Sequence, residues 1–292
     1  MKEVINISEI SYKVKEKTII DNISFTVNEG ESFALLGENG AGKSTLIDLI
    51  LNDLKPTKGT VAFWGTKKHN FTHVGIVYDH LPLFPLLKVH EIIRYFTTIH
   101  KLTYKNISNQ YFDIFGINQI SNSYIKELSQ GERKKVGLLL AIIHNPDLLI
   151  LDEPFANLDP TIIDRIWKTL NRQGRTIFFS THNWKEVEKI ATKIGFISNG
   201  KLITPPQSPN AILNQLPANK KIIISSKNEL LINDLLDLNY YILDDEIHIF
   251  LDNEKEIMPI INKHTMNFSI QDVGLKDAYL FYVKNKNTTV LC

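Results

Sequence analysis

The sequence predicts an α/β fold in two parts: a larger domain with a parallel sheet, then a small α+β module. Three observations predict it. Residues 3–12 and 18–28 alternate apolar and polar positions and end in Asn28-Glu29-Gly30, which reads as antiparallel strands closed by a turn. From Ser32 onward short apolar runs alternate with segments of helical spacing, the pattern of strands joined by crossover helices. After the turn-formers Thr204-Pro205-Pro206-Gln207-Ser208-Pro209 the pattern changes to mixed strands and helices.

In chain order, Ser32 to Leu36 is a short apolar strand, Gly37 to Lys43 a glycine-rich loop, and Ser44 to Asn52 a helix with Leu46, Ile47, Leu49 and Ile50 on its apolar side. Residues 60–64 and 73–78 read as further strands. From Val89 to about His144 the period becomes helical, with Ile92, Ile93, Phe96 and Ile99 on one face, so 86–145 is expected to be a helical subdomain. Leu148 to Leu151 reads as a buried strand, Pro160 to Leu170 as a helix and Thr176 to Phe179 as a strand. The expected organisation is a first domain over 1–204, a connector over 205–219 and an accessory α+β domain over 220–292. In the latter, 220–225, 240–251 and 266–271 read as strands and 228–237, 254–262 and 275–282 as helices.

Of 292 residues, 43% are hydrophobic, enough for a sizeable core. Lys+Arg (33) and Asp+Glu (32) nearly cancel, so no global basic field would draw the chain to nucleic acid or to an anionic membrane surface. The single cysteine, Cys292, excludes an intramolecular disulfide framework and points to a reducing compartment. Met1 opens into a strand-like segment bearing Glu3 and Glu9, unlike a secretory signal. The most apolar stretches, Leu138 to Ile143 and Leu148 to Leu151, are far shorter than the roughly 18 residues that span a bilayer, so any membrane role needs another polypeptide.

Gly37-Glu38-Asn39-Gly40-Ala41-Gly42-Lys43-Ser44, followed by Thr45, fits G-x-x-x-x-G-K-[ST] between a strand and a helix. Glycines let consecutive amides wrap an anion, the helix start adds partial positive charge, Lys43 meets the outer phosphates, and the Ser44 hydroxyl is suited to Mg²⁺. Leu148-Leu149-Ile150-Leu151-Asp152-Glu153-Pro154 sets two carboxylates at the carboxyl end of a buried strand, where parallel sheets bind ligands. Asp152 suits a metal-bound water, and Glu153 suits the polarisation of an attacking water. Ser129 and Glu132 have the spacing of a helix capping box.

With these motifs in this order, and with Leu128-Ser129-Gln130-Gly131-Glu132 between the glycine loop and the acidic strand end, residues 1 to about 204 resemble the ATP-binding subunits of ABC transporters. The resemblance implies a P-loop NTPase (ABC ATPase) domain with an antiparallel β subdomain and a helical subdomain, using ATP and Mg²⁺. It implies that Ser129, Gln130, Gly131 and Glu132 form the signature that faces the γ-phosphate of ATP held by another subunit. It implies too that Asn157-Leu158-Asp159 is the D-loop, that His182 in Ser180-Thr181-His182 is the switch histidine sensing that phosphate, and that Tyr12 stacks on adenine. As a lone residue Tyr12 equally suits the core.

Two departures stand out. The family signature normally has glycine where Gln130 stands, and often glutamine where Glu132 stands. In Tyr78-Asp79-His80-Leu81-Pro82-Leu83-Phe84-Pro85, Asp79 occupies the place of the Q-loop glutamine; it remains a candidate ligand for Mg²⁺ or a water, but with shorter reach and an added negative charge. That substitution, and a tail Gly274-Leu275-Lys276-Asp277-Ala278-Tyr279-Leu280 similar to that of bacterial drug and peptide exporters, favour export of a peptide, antibiotic or other hydrophobic compound. The implied partners are a transmembrane permease and a second ATP-binding subunit, in a homodimer or heterodimer at the cytoplasmic face of a bacterial membrane. Phe84, Tyr95 and Phe96 are candidates for the permease contact, or for core. Two other classes stay open: a soluble ATPase acting on nucleic acid or ribosomes, and a regulatory subunit that binds ATP without hydrolysing it.

Overall fold

The structure is a computed structural model that describes residues 2–66, 71–81, 83–107, 109–225, 229–235, 238–264 and 267–284. Cys292, Pro82 and parts of the segments 228–237 and 266–271 lie outside the described residues. The chain forms two compact units, one of residues 1–182 and 190–206, the other of 183–189 and 207–292.

In the first unit, β1 (Glu3–Val14) pairs antiparallel with β2 (Lys17–Asn28). β3 (Ser32–Leu36) leads through the glycine loop into α1 (Lys43–Ile50), and β4 (Lys58–Phe63) returns to β1. β5 (Val74–Val77) precedes the helical segment, which comprises α2 (Val89–Ile99), α3 (Asn109–Ile114), α4 (Ile117–Ile120) and α5 (Gln130–Ile142). Then come β6 (Leu148–Asp152), α6 (Pro160–Leu170), β7 (Thr176–Thr181), β8 (Lys193–Ser198) and β9 (Lys201–Leu202); α7 (Trp184–Ile190), between β7 and β8 in the chain, falls almost wholly in the second unit.

Among the described residues the central sheet has the order β5-β6-β7-β3-β8-β9, parallel except for β9, and β2-β1-β4 form a separate antiparallel sheet. β3, β6 and β7 are buried throughout, which is why they read as unbroken apolar runs rather than alternating ones. Ile10, Ile20, Ile23, Leu46, Ile50, Ile150 and Phe178 share one core that joins both sheets to α1. Phe25 and Phe33 stack in it with ring centroids 4.8 Å apart.

Strand register aligns the ends of the sheet. Leu36 pairs with Thr181 and Asp152 with Ser180, so the carboxyl ends of β3, β6 and β7 lie level. The loop after Leu36, the carboxylate after Asp152 and the histidine after Thr181 therefore emerge side by side.

The second unit holds α8 (Pro209–Leu213), β10 (Lys220–Ile224), α9 (Glu229–Asp234), β11 (Tyr240–Leu243), β12 (Glu246–Phe250), α10 (Glu254–His264), β13 (Ser269–Asp272) and α11 (Leu275–Lys284). Its antiparallel sheet runs β11-β12-β10-β13. Ile222, Ile224, Ile247 and Ile249 pack with Leu231, Leu235, Ile257 and Ile261 in a core of their own. This unit differs from the sequence expectation in three places. The strand expected over 240–251 is a hairpin, because Asp244 turns the chain with φ of 52°. The expected connector carries α8, which Ser208 caps by accepting the Ala211 amide at 3.2 Å and which starts with Pro209. And α7 groups with this second unit: Trp184 lies 4.9 Å, ring to ring, from Tyr279, and the Leu275 amide donates to Glu188 at 2.9 Å.

Candidate active site

The glycine loop closes on itself before α1 starts: the Ala41 amide donates to the Glu38 carbonyl at 3.2 Å, and Gly42 is the N-cap at φ 106°, ψ 9°. A side chain at Gly42 would be strained in that left-handed region and would meet Ile20 Cδ1 at 2.9 Å, so sterics and backbone both require glycine. Gly37 and Ala41 are buried, whereas Glu38, Asn39 and Gly40 are exposed at the loop crest; Ser44 is exposed and Thr45 half-buried at the start of α1. The Lys43 ammonium, 6% exposed, donates to the Gly37 carbonyl at 2.9 Å and the Glu38 carbonyl at 3.2 Å, and lies 3.5 Å from Glu153 Oε1.

Glu153 is the meeting point. Its other oxygen lies 2.9 Å from His182 Nδ1, so one carboxylate spans the phosphate-loop lysine and the histidine beyond β7. Glu153 itself sits at φ 46°, left-handed for a residue with a side chain, which turns its carboxylate out of the strand line. Ser180, fully buried on β7, accepts the Glu153 amide at 3.1 Å and donates to Asp152 Oδ1. Asp152 also hydrogen-bonds Ser44. Burial pushes the Asp152 carboxyl upward, opposed by the Ser180 and Ser44 hydrogen bonds and reinforced by the negative charges of Asp79 and Glu153. Sequence reasoning assigned no role to Ser180; its position beside Asp152 in the β6–β7 register was the missing signal, and pairing partners are not legible in one sequence.

At the start of α5 the capping box is formed in full. The Glu132 amide donates to Ser129 Oγ at 3.2 Å, and the Ser129 amide and hydroxyl donate to Glu132 Oε2 at 2.9 and 2.7 Å. Those bonds hold the Glu132 carboxyl below its ordinary value. A Cβ at Gly131 would come within 2.5 Å of the Asn157 carbonyl, so this glycine lets the start of α5 lie against the Asn157-Leu158-Asp159 segment. Asp159 caps α6, accepting from the Thr161 amide at 2.8 Å. Asp79 Oδ1 lies 3.7 Å from Lys134 Nζ on α5, and its charge acts on Asp152. Asp79, His80, Leu81, Gln130, Arg133, Lys134 and Asn157 line a 260 Å³ pocket, so the departures at 79 and 130 line one pocket.

Tyr12 is half-buried on β1 and packs against the core shared by both sheets, which is the plainer of its two readings. Phe84 and Tyr95 are 50% and 47% exposed and meet edge to face at 5.6 Å, which places them on the surface rather than in the core. Phe96 lines a 310 Å³ apolar pocket with Ile76, Leu81, His100, Leu140 and His144.

The ABC transporter family model matches residues 20–156. An uncharacterized ABC transporter ATP-binding protein of Bacillus subtilis is 32% identical over 212 residues, 70% of each chain. A bacitracin transport ATP-binding protein of Enterococcus faecalis is 32% identical over 70% of this chain and 69% of its own. A lantibiotic transport ATP-binding protein of Streptococcus pyogenes is 30% identical over 68% of this chain and 89% of its own. A solved structure of an ATP-binding subunit of an ABC transporter has the same fold, with a TM-score of 0.66 at 24% identity over 73% of this chain and 92% of that one. A glycine loop, paired carboxylates and a histidine on level strand ends, in a chain so related, leave one conclusion: the protein belongs to the ATP-binding, ATP-hydrolysing proteins of ABC transporters.

Proposed function

We propose that two ATP-binding subunits close around two ATP molecules and so drive a separate transmembrane permease that exports a peptide, antibiotic or other hydrophobic compound. Each ATP would lie between one subunit's phosphate loop and the other's Ser129–Gly131. The observation that carries the catalytic part is Glu153, whose carboxylate spans Lys43 and His182 at the level ends of β6 and β7.

The roles follow from the chemistry of each group. The loop amides from Gly37 to Thr45 and the start of α1 receive the β- and γ-phosphates, and Lys43 exchanges its contact with Glu153 for phosphate oxygens. Glu153 then orients a water and takes its proton as the water oxygen bonds to the γ-phosphorus and the bond to the ADP oxygen breaks. His182, on the other side of Glu153, keeps that carboxylate in place and offers a donor to the γ-phosphate. Ser44, Asp152 and Asp79 present a hydroxyl and two carboxylates, hard oxygen donors that fit Mg²⁺. Bound there, the ion would neutralise charge on the phosphate oxygens. Ser180 holds the Asp152 side chain and the Glu153 amide in one geometry.

For the transporter part, the support is the relatives named for bacitracin and lantibiotic transport, and the exposed pair Phe84 and Tyr95 beside an apolar pocket, a surface suited to a permease helix. Among the described residues no helix is long and apolar enough to cross a membrane. The test is Glu153→Gln. ATP should shift this variant from monomer to dimer in a sizing experiment, and ATP turnover should fall at least about 100-fold, the scale of a lost general base. An unchanged turnover rate rejects the role of Glu153, and a monomer in saturating ATP rejects the sandwich.

A further inference from the structure

Lys134 is a nearly buried lysine at the junction of three elements. It sits on the second turn of α5 and is 4% exposed. Its ammonium lies 3.4 Å from the carbonyls of Tyr78 and Asp79, 3.3 Å from the carbonyl of Asp152, and 3.7 Å from the Asp79 carboxylate. These partners come from the segment after β5 and from the last residue of β6, while the lysine comes from the helix that Ser129 opens. Carbonyls at 3.3–3.4 Å are weak acceptors, so a buried ammonium here is held chiefly by charge. Burial pulls the Lys134 pKa below its ordinary value, and the negative charge around it opposes that: Asp79 lies 3.7 Å away, and Asp152 and Glu153 act on it through space.

An aspartate at position 79 adds an anion to a corner that already holds Asp152 and Glu153, and like charges there oppose one another and weaken the hold on a triphosphate. Lys43 cannot balance it, because Lys43 is the cation the phosphates require. We propose that Lys134 is a positioning residue for ATP hydrolysis, neutralising Asp79 and tying the segment after β5 to α5 and to the end of β6. Lys134 itself touches neither phosphate nor the attacking water. It sets where Asp79 stands, and it makes a displacement of residues 78–81 a displacement of the helix that presents Ser129 and Gly131. The role rests on the hydrolytic site proposed for Glu153, and it explains how an anionic residue is accommodated where that site has a ligand for Mg²⁺.

The test uses the full chain as Lys134→Met, Lys134→Arg, Asp79→Asn and the Asp79→Asn/Lys134→Met double variant. Lys134→Met removes the charge but keeps most of the apolar stem, and is expected to lower kcat about tenfold or more with KM changed less than about threefold. Lys134→Arg should retain most of the rate. The double variant should hydrolyse ATP within about threefold of Asp79→Asn alone, since neutralising Asp79 removes the need for the lysine. A merely structural lysine would give no such rescue. Thermal unfolding in EDTA without nucleotide gives a readout independent of turnover: Tm changes of the two single variants should not add in the double. An undiminished kcat for Lys134→Met, or a double variant as slow as Lys134→Met, overturns the proposal, and so do additive Tm changes. A wild-type chain with no ATP turnover would instead refute the hydrolytic site, and the unfolding cycle would still report on the pair.

Discussion

Ser180 carries no chemistry of its own, yet its hydroxyl touches the Asp152 carboxylate and the Glu153 amide, so it decides the geometry of both acidic residues. Ser180→Ala is expected to leave Asp152 buried with one fewer donor and to slow ATP turnover by about tenfold or more, the scale of a small misplacement of catalytic groups. Steady-state phosphate release checks this, with Ser180→Thr as the variant that keeps the hydroxyl. The same single-residue scale explains Glu153. Its φ of 46° lies in the left-handed region, and its carboxylate stands between Lys43 and His182. Lys43 and the Asp152-Glu153 pair stood out in the sequence through a glycine-loop motif and a strand-end pattern, and His182 only through the family resemblance. The contacts of Ser180 and Lys134 were not readable there, since they join residues far apart in the chain.

Helix α5 shows how one element serves two ends. At its start, the Ser129–Glu132 box satisfies orphan amides, and Ser129→Ala should cost about 1 kcal/mol of stability, measured by chemical unfolding without nucleotide. Hydrogen bonds from Ser129 lower the Glu132 pKa, so this contribution is present above the unfolded value and lost as pH falls through the lower folded one. Glu132→Gln should therefore flatten the acid limb of a stability–pH profile, and an unaltered limb would remove the carboxylate from the cap. Just past the far end of α5, His144 stacks on His100 at the end of α2, 4.0 Å away, in the lining of the apolar pocket. Burial pushes His144 down to about 4, and the neighbouring His100, Arg175 and His73 act in the same direction. With the folded pKa below the unfolded one, the neutral ring favours the fold above about pH 6.5, and the benefit fades as pH falls towards 4. His144→Leu should make Tm less sensitive to pH between 6.5 and 4, read by thermal unfolding across that window. The helical period announced α2 and α5, but not that the pocket between them would be lined by two stacked imidazoles.

Across the molecule, the unexpected feature is the chain's division. Helix α7 begins two residues after His182 and packs within the second unit, through the rings of Trp184 and Tyr279 and the Glu188 bond to Leu275. A truncation after Pro206 would keep α7 while removing Tyr279 and Leu275, the partners of Trp184 and Glu188. That shortened chain is expected to unfold at lower temperature and to aggregate more readily than the full chain, as light scattering during a thermal ramp would show. Equal melting of the two would mean that α7 needs no cover. Within the second unit, Asp277 on α11 binds Lys221 and Tyr241 in a buried group, so the helix expected over 275–282 also carries a charged anchor.

By itself, the sequence determined the parallel α/β class, the glycine loop, the acidic strand end and the family, because each depends on local pattern: side-chain period, residues that permit unusual φ, and spacing from a strand. Tertiary structure alone decided that Leu36, Asp152 and Thr181 end level, that Ser180 and Lys134 serve the acidic corner, that 240–251 folds back as a hairpin, and that α7 joins the second unit. Those outcomes are set by which strands and helices pack together, a property of distances across the core that no local stretch of chain contains.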